Sequence, residues 1–417
     1  MIRIYCMNCG ATTLRPFIQL GDQPNGNRFV VPGEEDTEPQ MSLLMLVCTS
    51  CWQVQIDHFP APEFLFTHHP YVTGFNVPIV RHCAMLAQEI IDKLGLRPNS
   101  LVLDIGCNDG TLLREFAARG MRVLGIDPAT TITEMARKNG ITVMRTFWDQ
   151  HAGQALRALK VPVDVITATA VFYHIPDLHD FVRGLAEVMD TNTVFVTQCI
   201  HLKDLLEKNQ FDHFYHEHSC VHAIVPLNRL FEAHGMRLLH VDFFDVHGGS
   251  FVLYVARRDN PRPTTPSIEK AMQEERAAGL DKMETYEAFA ARAARNAGKL
   301  KDLLVRLKGE GKRVYALGAP AKGSTLLNYA GIGPDLVECA VELNELKVGK
   351  LVPGVHIPVV HEAAVTEPPD YYLMLAWNFL DFFMDKYRNY LEGGGRFIVP
   401  GPDVRVHGLD DTAEKGA

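Results

Sequence analysis

Three groups of residues in this chain have the types and spacing that chemistry requires. Cys6, Cys9, Cys48 and Cys51 form two Cys-x-x-Cys pairs, and each pair sets two sulfurs on one side of a tetrahedral ion. Four thiolates would fill every position around zinc and leave none for water, which points to a structural metal rather than a catalytic one. The second group is Leu101-Val102-Leu103-Asp104-Ile105-Gly106-Cys107-Asn108-Asp109-Gly110-Thr111-Leu112, a strand, a glycine turn and a helix start. Gly106 and Gly110 let the backbone turn sharply and approach a ligand at the carboxyl end of a sheet. The spacing is not Gly-x-Gly-x-x-Gly, and Asn108 and Asp109 stand where a pyrophosphate needs bare backbone. A zwitterion or a cation therefore suits this turn better than a dinucleotide. Asp127, followed by Pro128, ends the next strand, where a carboxylate accepts hydrogen bonds from a pair of ribose hydroxyls.

The third group is Phe211-Asp212-His213-Phe214-Tyr215-His216-Glu217-His218, a run with no hydrophobic period and many titratable groups. Such a run is costly to bury unless each polar group finds a partner. A neutral histidine beside a carboxylate is a base poised near neutral pH. A tyrosine hydroxyl can donate to the oxyanion that forms when a proton leaves carbon beside a ketone. On the residues alone two other readings stay open: His216 and His218 as a metal pair, or the run as a polar loop over a cofactor. His247-Gly248-Gly249-Ser250 precedes another strand and is placed to close the same cleft.

The elements that must position these groups are α/β in pattern. Leu101 to Ile105, Val123 to Ile126, Val163 to Ala168 and Val194 to Gln198 are short apolar runs of the kind found in buried parallel strands. His82 to Leu94, Leu112 to Arg119, Ile132 to Asn139 and Asp180 to Met189 carry helical spacing, so the middle of the chain reads as a doubly wound sheet. Three prolines between Asp259 and Pro266 break the pattern. A long amphipathic helix follows, with Asp281 and Glu284 as a capping box and Tyr286, Phe289, Ala293, Ala297, Leu300, Leu304 and Leu307 on one face. Alternation then restarts with strand Arg313 to Leu317, helix Ser324 to Tyr329 and strands near Glu338 to Val341, Tyr371 to Ala376 and Phe397 to Val399, a second Rossmann-type unit. The last dozen residues read as a loose tail.

Composition bounds the rest. The 417 residues are 47% apolar and 22% charged, which excludes a disordered or collagenous chain. The formal net charge of −9 disfavours general nucleic-acid binding. No apolar run approaches a membrane span, and Met1 to Cys6 lacks the apolar core of a signal peptide, so a cytoplasmic location is expected. An odd cysteine count with two tight pairs reads as metal binding plus buried thiols, not disulfides. The residues leave oligomeric state open.

Asp104, Gly106, Asn108, Asp109, Gly110, Thr111, Asp127 and Pro128 together resemble the S-adenosylmethionine pocket of Rossmann-like methyltransferases, a resemblance that extends the cofactor set to Ala168 and His174. The order of zinc knuckles, this core, Tyr-His-Glu-His, His-Gly-Gly-Ser, Gly318-Ala319-Pro320-Ala321-Lys322-Gly323 and Ala376-Trp377-Asn378 is similar to one family along the chain up to about Pro402. That family is the S-adenosylmethionine-dependent C-methyltransferases of nucleotide-linked keto-deoxysugars, the C-3′-methyltransferases of antibiotic sugar pathways. The resemblance implies a zinc domain over 1–66, a Rossmann-like methyltransferase domain over 67–260, and a helical linker with a nucleotide-sugar-binding α/β domain over 261–417. It implies that Tyr215, Glu217 and His218 are catalytic, with His218 the base, and that Tyr71 lies near the reacting sugar. It further implies a nucleotide-diphosphate keto-sugar as substrate, approached by Ala321, Lys322, Asn378 and His247. His174-Ile175-Pro176 keeps the family pattern, whereas Ala170, Val252, Glu342 and Ser219 to His222 depart from it. Methylation at oxygen or nitrogen of a small molecule, or a non-catalytic zinc-stapled nucleotide-binding module, are the rival expectations.

Overall fold

The computed structural model describes residues 4–409. Met1 to Arg3, part of the segment read for a signal peptide, and the end of the expected tail lie outside that range. The chain divides into two compact units, one made of Met1–Pro16, Leu46–Asp204 and Glu217–Met283, the other of Phe17–Met45, Leu205–His216 and Glu284–Ala417.

The first unit is built on a seven-stranded sheet. Its strands are β1 (Leu101–Ile105), β2 (Arg122–Ile126), β3 (Val143–Met144), β4 (Val165–Thr169), β5 (Val194–Ile200), β6 (Met236–Phe244) and β7 (Ser250–Arg257). They lie in the order β6-β7-β5-β4-β1-β2-β3. The pairs from β5 through β3 are parallel, and β7 runs antiparallel to both β5 and β6. Every residue of β1 and β5 is buried, which is why these strands read as unbroken apolar runs rather than alternating ones.

Two helices show how local chemistry sets the boundaries. Helix Val77–Leu94 begins five residues before the apolar stripe alone indicates, because the Asn76 side chain accepts from Ile79 N at 3.4 Å and Pro78 is tolerated in the first turn. It stops at Gly95, in the left-handed region at φ 60°. Helix Gln150–Ala158 starts where Asp149 accepts from Ala152 N at 2.7 Å. The proline-rich break ends where Pro266 opens helix Pro266–Ala277.

The second unit carries a six-stranded sheet of β8 (Val314–Leu317), β9 (Ala340–Glu342), β10 (Val359–His361), β11 (Tyr371–Met374), β12 (Arg396–Val399) and β13 (Arg405–His407). The order is β10-β9-β8-β11-β12-β13, parallel except for the antiparallel last pair. Part of the segment expected to be loose is thus strand β13. The long helix Met283–Gly309 buries the whole expected stripe from Tyr286 to Leu307. It begins one residue later than a cap at Asp281 would place it. Asn296, also buried, donates to Pro400 O at 2.5 Å and accepts from Val404 N at 3.1 Å, holding the turn between β12 and β13. Among the described residues no helix is long and apolar enough to cross a membrane.

Candidate active site and metal centre

A cavity of about 510 Å³ opens at the carboxyl ends of β1, β2 and β4 in the first unit, the position at which open α/β sheets bind ligands. Gly106 leaves β1 at φ 71°, and a Cβ there would meet Val171 Cγ2 at 2.3 Å. Only glycine fits that turn. The Gly106 and Cys107 amides donate to Ile126 O at 2.7 and 3.1 Å, which locks the turn against the end of β2. Asp127 then accepts from Asn108 N at 3.0 Å and from Ala129 N at 2.8 Å. Burial raises its pKa while these two amides pull it down. Asp104 accepts from Thr167 Oγ1 at 2.6 Å, and burial pushes it up to about 7.

Of the expected cofactor residues, Asp104, Gly106, Asn108, Thr111, Asp127, Pro128 and His174 line this cavity. Asp109, Gly110 and Ala168 are not among its lining residues. Gly110, at φ 79°, caps helix Thr111–Ala118. Ala168 is buried within β4, and Thr169 and Ala170 form the wall beyond it. Asp109 serves as a bracket, accepting from Thr111 Oγ1 at 2.7 Å and from Gly74 N at 3.2 Å. Asn108 completes it, accepting from Thr73 N at 2.9 Å and donating to Tyr71 O at 3.1 Å. Tyr71 is thereby carried to the cavity wall, where His247 also lies.

The Tyr-His-Glu-His run is divided between the units after His216. In the second unit His216 donates from Nε2 to Ser42 O at 3.1 Å, and Tyr215 is half-buried. In the first unit Glu217 is 2% exposed and its carboxylate lies 3.1 Å from His69 Nε2. The Glu217 carbonyl accepts from His174 Nδ1 at 2.7 Å. His218 is buried, its ring 4.6 Å from that of Tyr173 and 5.1 Å from that of His174, and it is not a lining residue of the cavity. Burial drives the His174 imidazole down to about 4 against the pull of Glu217, so it is neutral at pH 7 with its Nδ1 proton fixed on that carbonyl.

Sequence reasoning passed over two histidines of the cavity wall. His69 adjoins Tyr71 in the chain, which was its signal, and its ring centroid is 6.3 Å from that of Tyr71. His82 pairs with Gln198 Oε1 at 2.7 Å, and it sits among apolar helical positions where it reads as core.

In the second unit the Lys322 ammonium donates to Asn378 Oδ1. The lysine is mostly buried rather than solvated. It is 11% exposed, 3.4 Å from Asp212 and 4.5 Å above the Trp377 ring, while Trp377 Nε1 donates to the same Asp212 oxygen at 2.8 Å. Ala321 is the first residue of helix Ala321–Ala330. The turn before it is tied by Glu342, which accepts from Ala319 N at 3.1 Å, and by Lys347, which donates to Ala319 O at 2.9 Å. Lys347 carried no sequence signal, because the contact spans 28 residues.

The four cysteines converge. Their Sγ atoms all lie within 4.8 Å of one another, with Cys6–Cys51 at 3.5 Å and Cys9–Cys48 at 3.6 Å. Zinc with Zn–S bonds of about 2.3 Å in a tetrahedron needs sulfurs about 3.8 Å apart, so the set fits the ion. Among the described residues this is the group of three or more potential ligands that converges. The knuckle is anchored through Asn8, which donates to Pro226 O at 2.8 Å and whose carbonyl lies 2.8 Å from His179 Nε2.

Three families match successive parts of the chain. Residues 6–66 match a family described as "Putative zinc binding domain", 80–241 one described as "Methyltransferase domain", and 245–402 one described as "C-methyltransferase C-terminal domain". The chain thus carries a methyltransferase domain between an N-terminal segment of a zinc-binding family and a C-methyltransferase C-terminal domain. C-methyltransferase NovU of Streptomyces niveus is 33% identical over 411 residues, 98% of this chain and 97% of NovU. The chain belongs to this family of C-methyltransferases. A ubiquinone biosynthesis O-methyltransferase of Azorhizobium caulinodans is 27% identical over 30% of this chain and 47% of that protein. Among solved structures, magnesium protoporphyrin IX methyltransferase of Synechocystis with bound cofactor is 18% identical, with a TM-score of 0.33 over 43% of this chain and 81% of that one.

The cavity fits S-adenosylmethionine on its own chemistry. Its volume lies in the range that buries a ligand of this size. Its wall places two buried carboxylates, Asp104 and Asp127, where they can meet a cation and a ribose.

Proposed function

We propose that this enzyme methylates a carbon next to the ketone of a nucleotide-linked 4-keto-deoxysugar. Bound S-adenosylmethionine supplies an electrophilic methyl group on a cationic sulfur. The protein's own task is the carbon acid, since carbon becomes a nucleophile only after it has lost a proton. The observation that carries this reading is the grouping of Tyr71, His69 and neutral His174 on the wall of the cofactor cavity, with the Glu217 carboxylate 3.1 Å behind His69. Methylation at oxygen or nitrogen requires no base for a carbon acid.

In this reading the Glu217–His218 pair removes the proton. Tyr71 orients the sugar ring from the segment that Asn108 and Asp109 bracket. Asp127 holds the ribose of the cofactor, and Asp104 stands opposite its positive charge. The α/β domain around Ala321, Lys322 and Asn378 takes the nucleotide. There the N-terminus of helix Ala321–Ala330 is the natural place for phosphate oxygens. Orientation and exclusion of water then supply much of the rate.

Mass spectrometry of a panel of nucleoside-diphosphate 4-keto-6-deoxysugars tests the reading, each sugar incubated with enzyme and S-adenosylmethionine. A single methyl gain on at least one of them is expected. Methyl transfer only to hydroxyl or amino acceptors would overturn it.

A further inference from the structure

The geometry points to His69 as a positioning and proton-relay residue that acts through Glu217. This inference rests on the carbon-acid reading above and adds to it the route by which the proton leaves. Glu217 is 2% exposed, so a proton arriving there has no direct way to solvent. His69 Nε2 lies 3.1 Å from Glu217 Oε2, and the His69 side chain is 16% exposed on the cavity wall. The imidazole therefore spans the distance between a buried carboxylate and cavity water. Its ring neighbours are Phe66 and Tyr71, at 5.8 and 6.3 Å. The Glu217 main chain is held in turn by His174, whose Nδ1 lies 2.7 Å from the Glu217 carbonyl.

The steps balance without a further reactant. The C–H bond beside the ketone breaks, its electron pair enters the enolate, and the Glu217–His218 pair takes the proton, which forms an O–H bond on the Glu217 carboxylate. The Glu217 O–H bond then breaks as an N–H bond forms at His69 Nε2, giving an imidazolium next to a carboxylate. The Nδ1–H bond breaks last and the proton passes to water, after which exchange with water restores the starting tautomer. His69 thus returns the base to its active form in each cycle.

The test uses the full-length zinc-loaded enzyme with His69→Ala and His69→Gln. Its substrate is whichever nucleoside-diphosphate 4-keto-6-deoxysugar shows the fastest exchange of α-deuterium into water with the wild-type enzyme. Both variants should lose about a hundredfold in turnover with KM changed little, and S-adenosylmethionine affinity reports that the cavity is intact. Added imidazole should restore much of the turnover of His69→Ala, which leaves room for it, and little of that of His69→Gln. A merely structural role gives no such rescue. If His69→Ala fails to fold, the loss in His69→Gln decides the matter. Turnover near the wild-type level, or a loss in His69→Ala that imidazole does not reverse, overturns the relay alone. Wild-type enzyme that exchanges α-deuterium from no member of the panel overturns the carbon-acid reading and the relay with it.

Discussion

Replacing Gly106 with alanine should disable the cofactor cavity, and the structure indicates by how much. Two terms add. An L-residue held at φ 71° costs about 1 kcal/mol relative to glycine. The new Cβ would stand 2.3 Å from Val171 Cγ2, 3.1 Å from Cγ1 and 3.3 Å from Cβ, so a side chain of the wall must move. Overpacking of this kind costs about 1–3 kcal/mol, the larger of the two terms. The sum is about 2–4 kcal/mol, which corresponds to about thirtyfold to several hundredfold in S-adenosylmethionine affinity if it falls on binding. If it falls on folding instead, the melting temperature drops by about 4–16 °C. Titration calorimetry with S-adenosylmethionine, together with thermal denaturation, reads both. Adding Val171→Ala to Gly106→Ala removes the clash and leaves the backbone term, so most of the loss should return. Unchanged affinity and melting in Gly106→Ala would refute the reasoning, and so would a double variant no better than the single one.

Other perturbations have equally definite outcomes. Asp104 has a folded pKa of about 7, above its ordinary value, so the folded protein binds the extra proton between about pH 4 and 7 and stability in the absence of cofactor falls as pH rises through that window. A cationic ligand favours the carboxylate, so S-adenosylmethionine affinity should weaken below pH 7, approaching about tenfold per pH unit, with proton release on binding; Asp104→Asn should abolish that slope, and a slope unchanged in the variant counts against the assignment. Cys48→Ser should lose bound zinc and lower the melting temperature, as metal analysis and calorimetry will record, whereas full zinc content with unchanged melting would contradict a four-sulfur site. Asp109→Ala removes the acceptor of Gly74 N and of Thr111 Oγ1, and should raise KM for the sugar more than it weakens cofactor binding. Equal effects on both would show that the bracket does not serve Tyr71.

What could be read from the amino-acid order follows a physical division between local and distant contacts. The turn from Asp104 to Thr111 was legible because a buried strand, two glycines and a helix start are neighbours in sequence, and the cysteine knuckles because each pair is a local unit. The start of helix Val77–Leu94 was also written there, in Asn76 and Pro78, although the apolar stripe alone begins later. Asp109 looked like a ligand residue because its reach to Gly74 spans 35 residues and leaves no trace in the local pattern. The burial of Lys322 left no local trace for the same reason, its partners Asp212 and Asn378 lying far away in the chain. The grouping of Phe17–Met45 with the C-terminal part of the chain is likewise a product of long-range pairing, as in the bridge between Val30 and Leu351. His69 went unnoticed because a histidine declares its role only through what faces it, and Glu217 is 148 residues away.

The most direct test of the central claim is to locate the transferred methyl group. Enzyme supplied with methyl-labelled S-adenosylmethionine and a nucleoside-diphosphate 4-keto-6-deoxysugar should give a product whose NMR spectrum places the label on the carbon beside the ketone, with that carbon's hydrogen lost. Label found on an oxygen or nitrogen, with the α-hydrogen retained, would contradict the account.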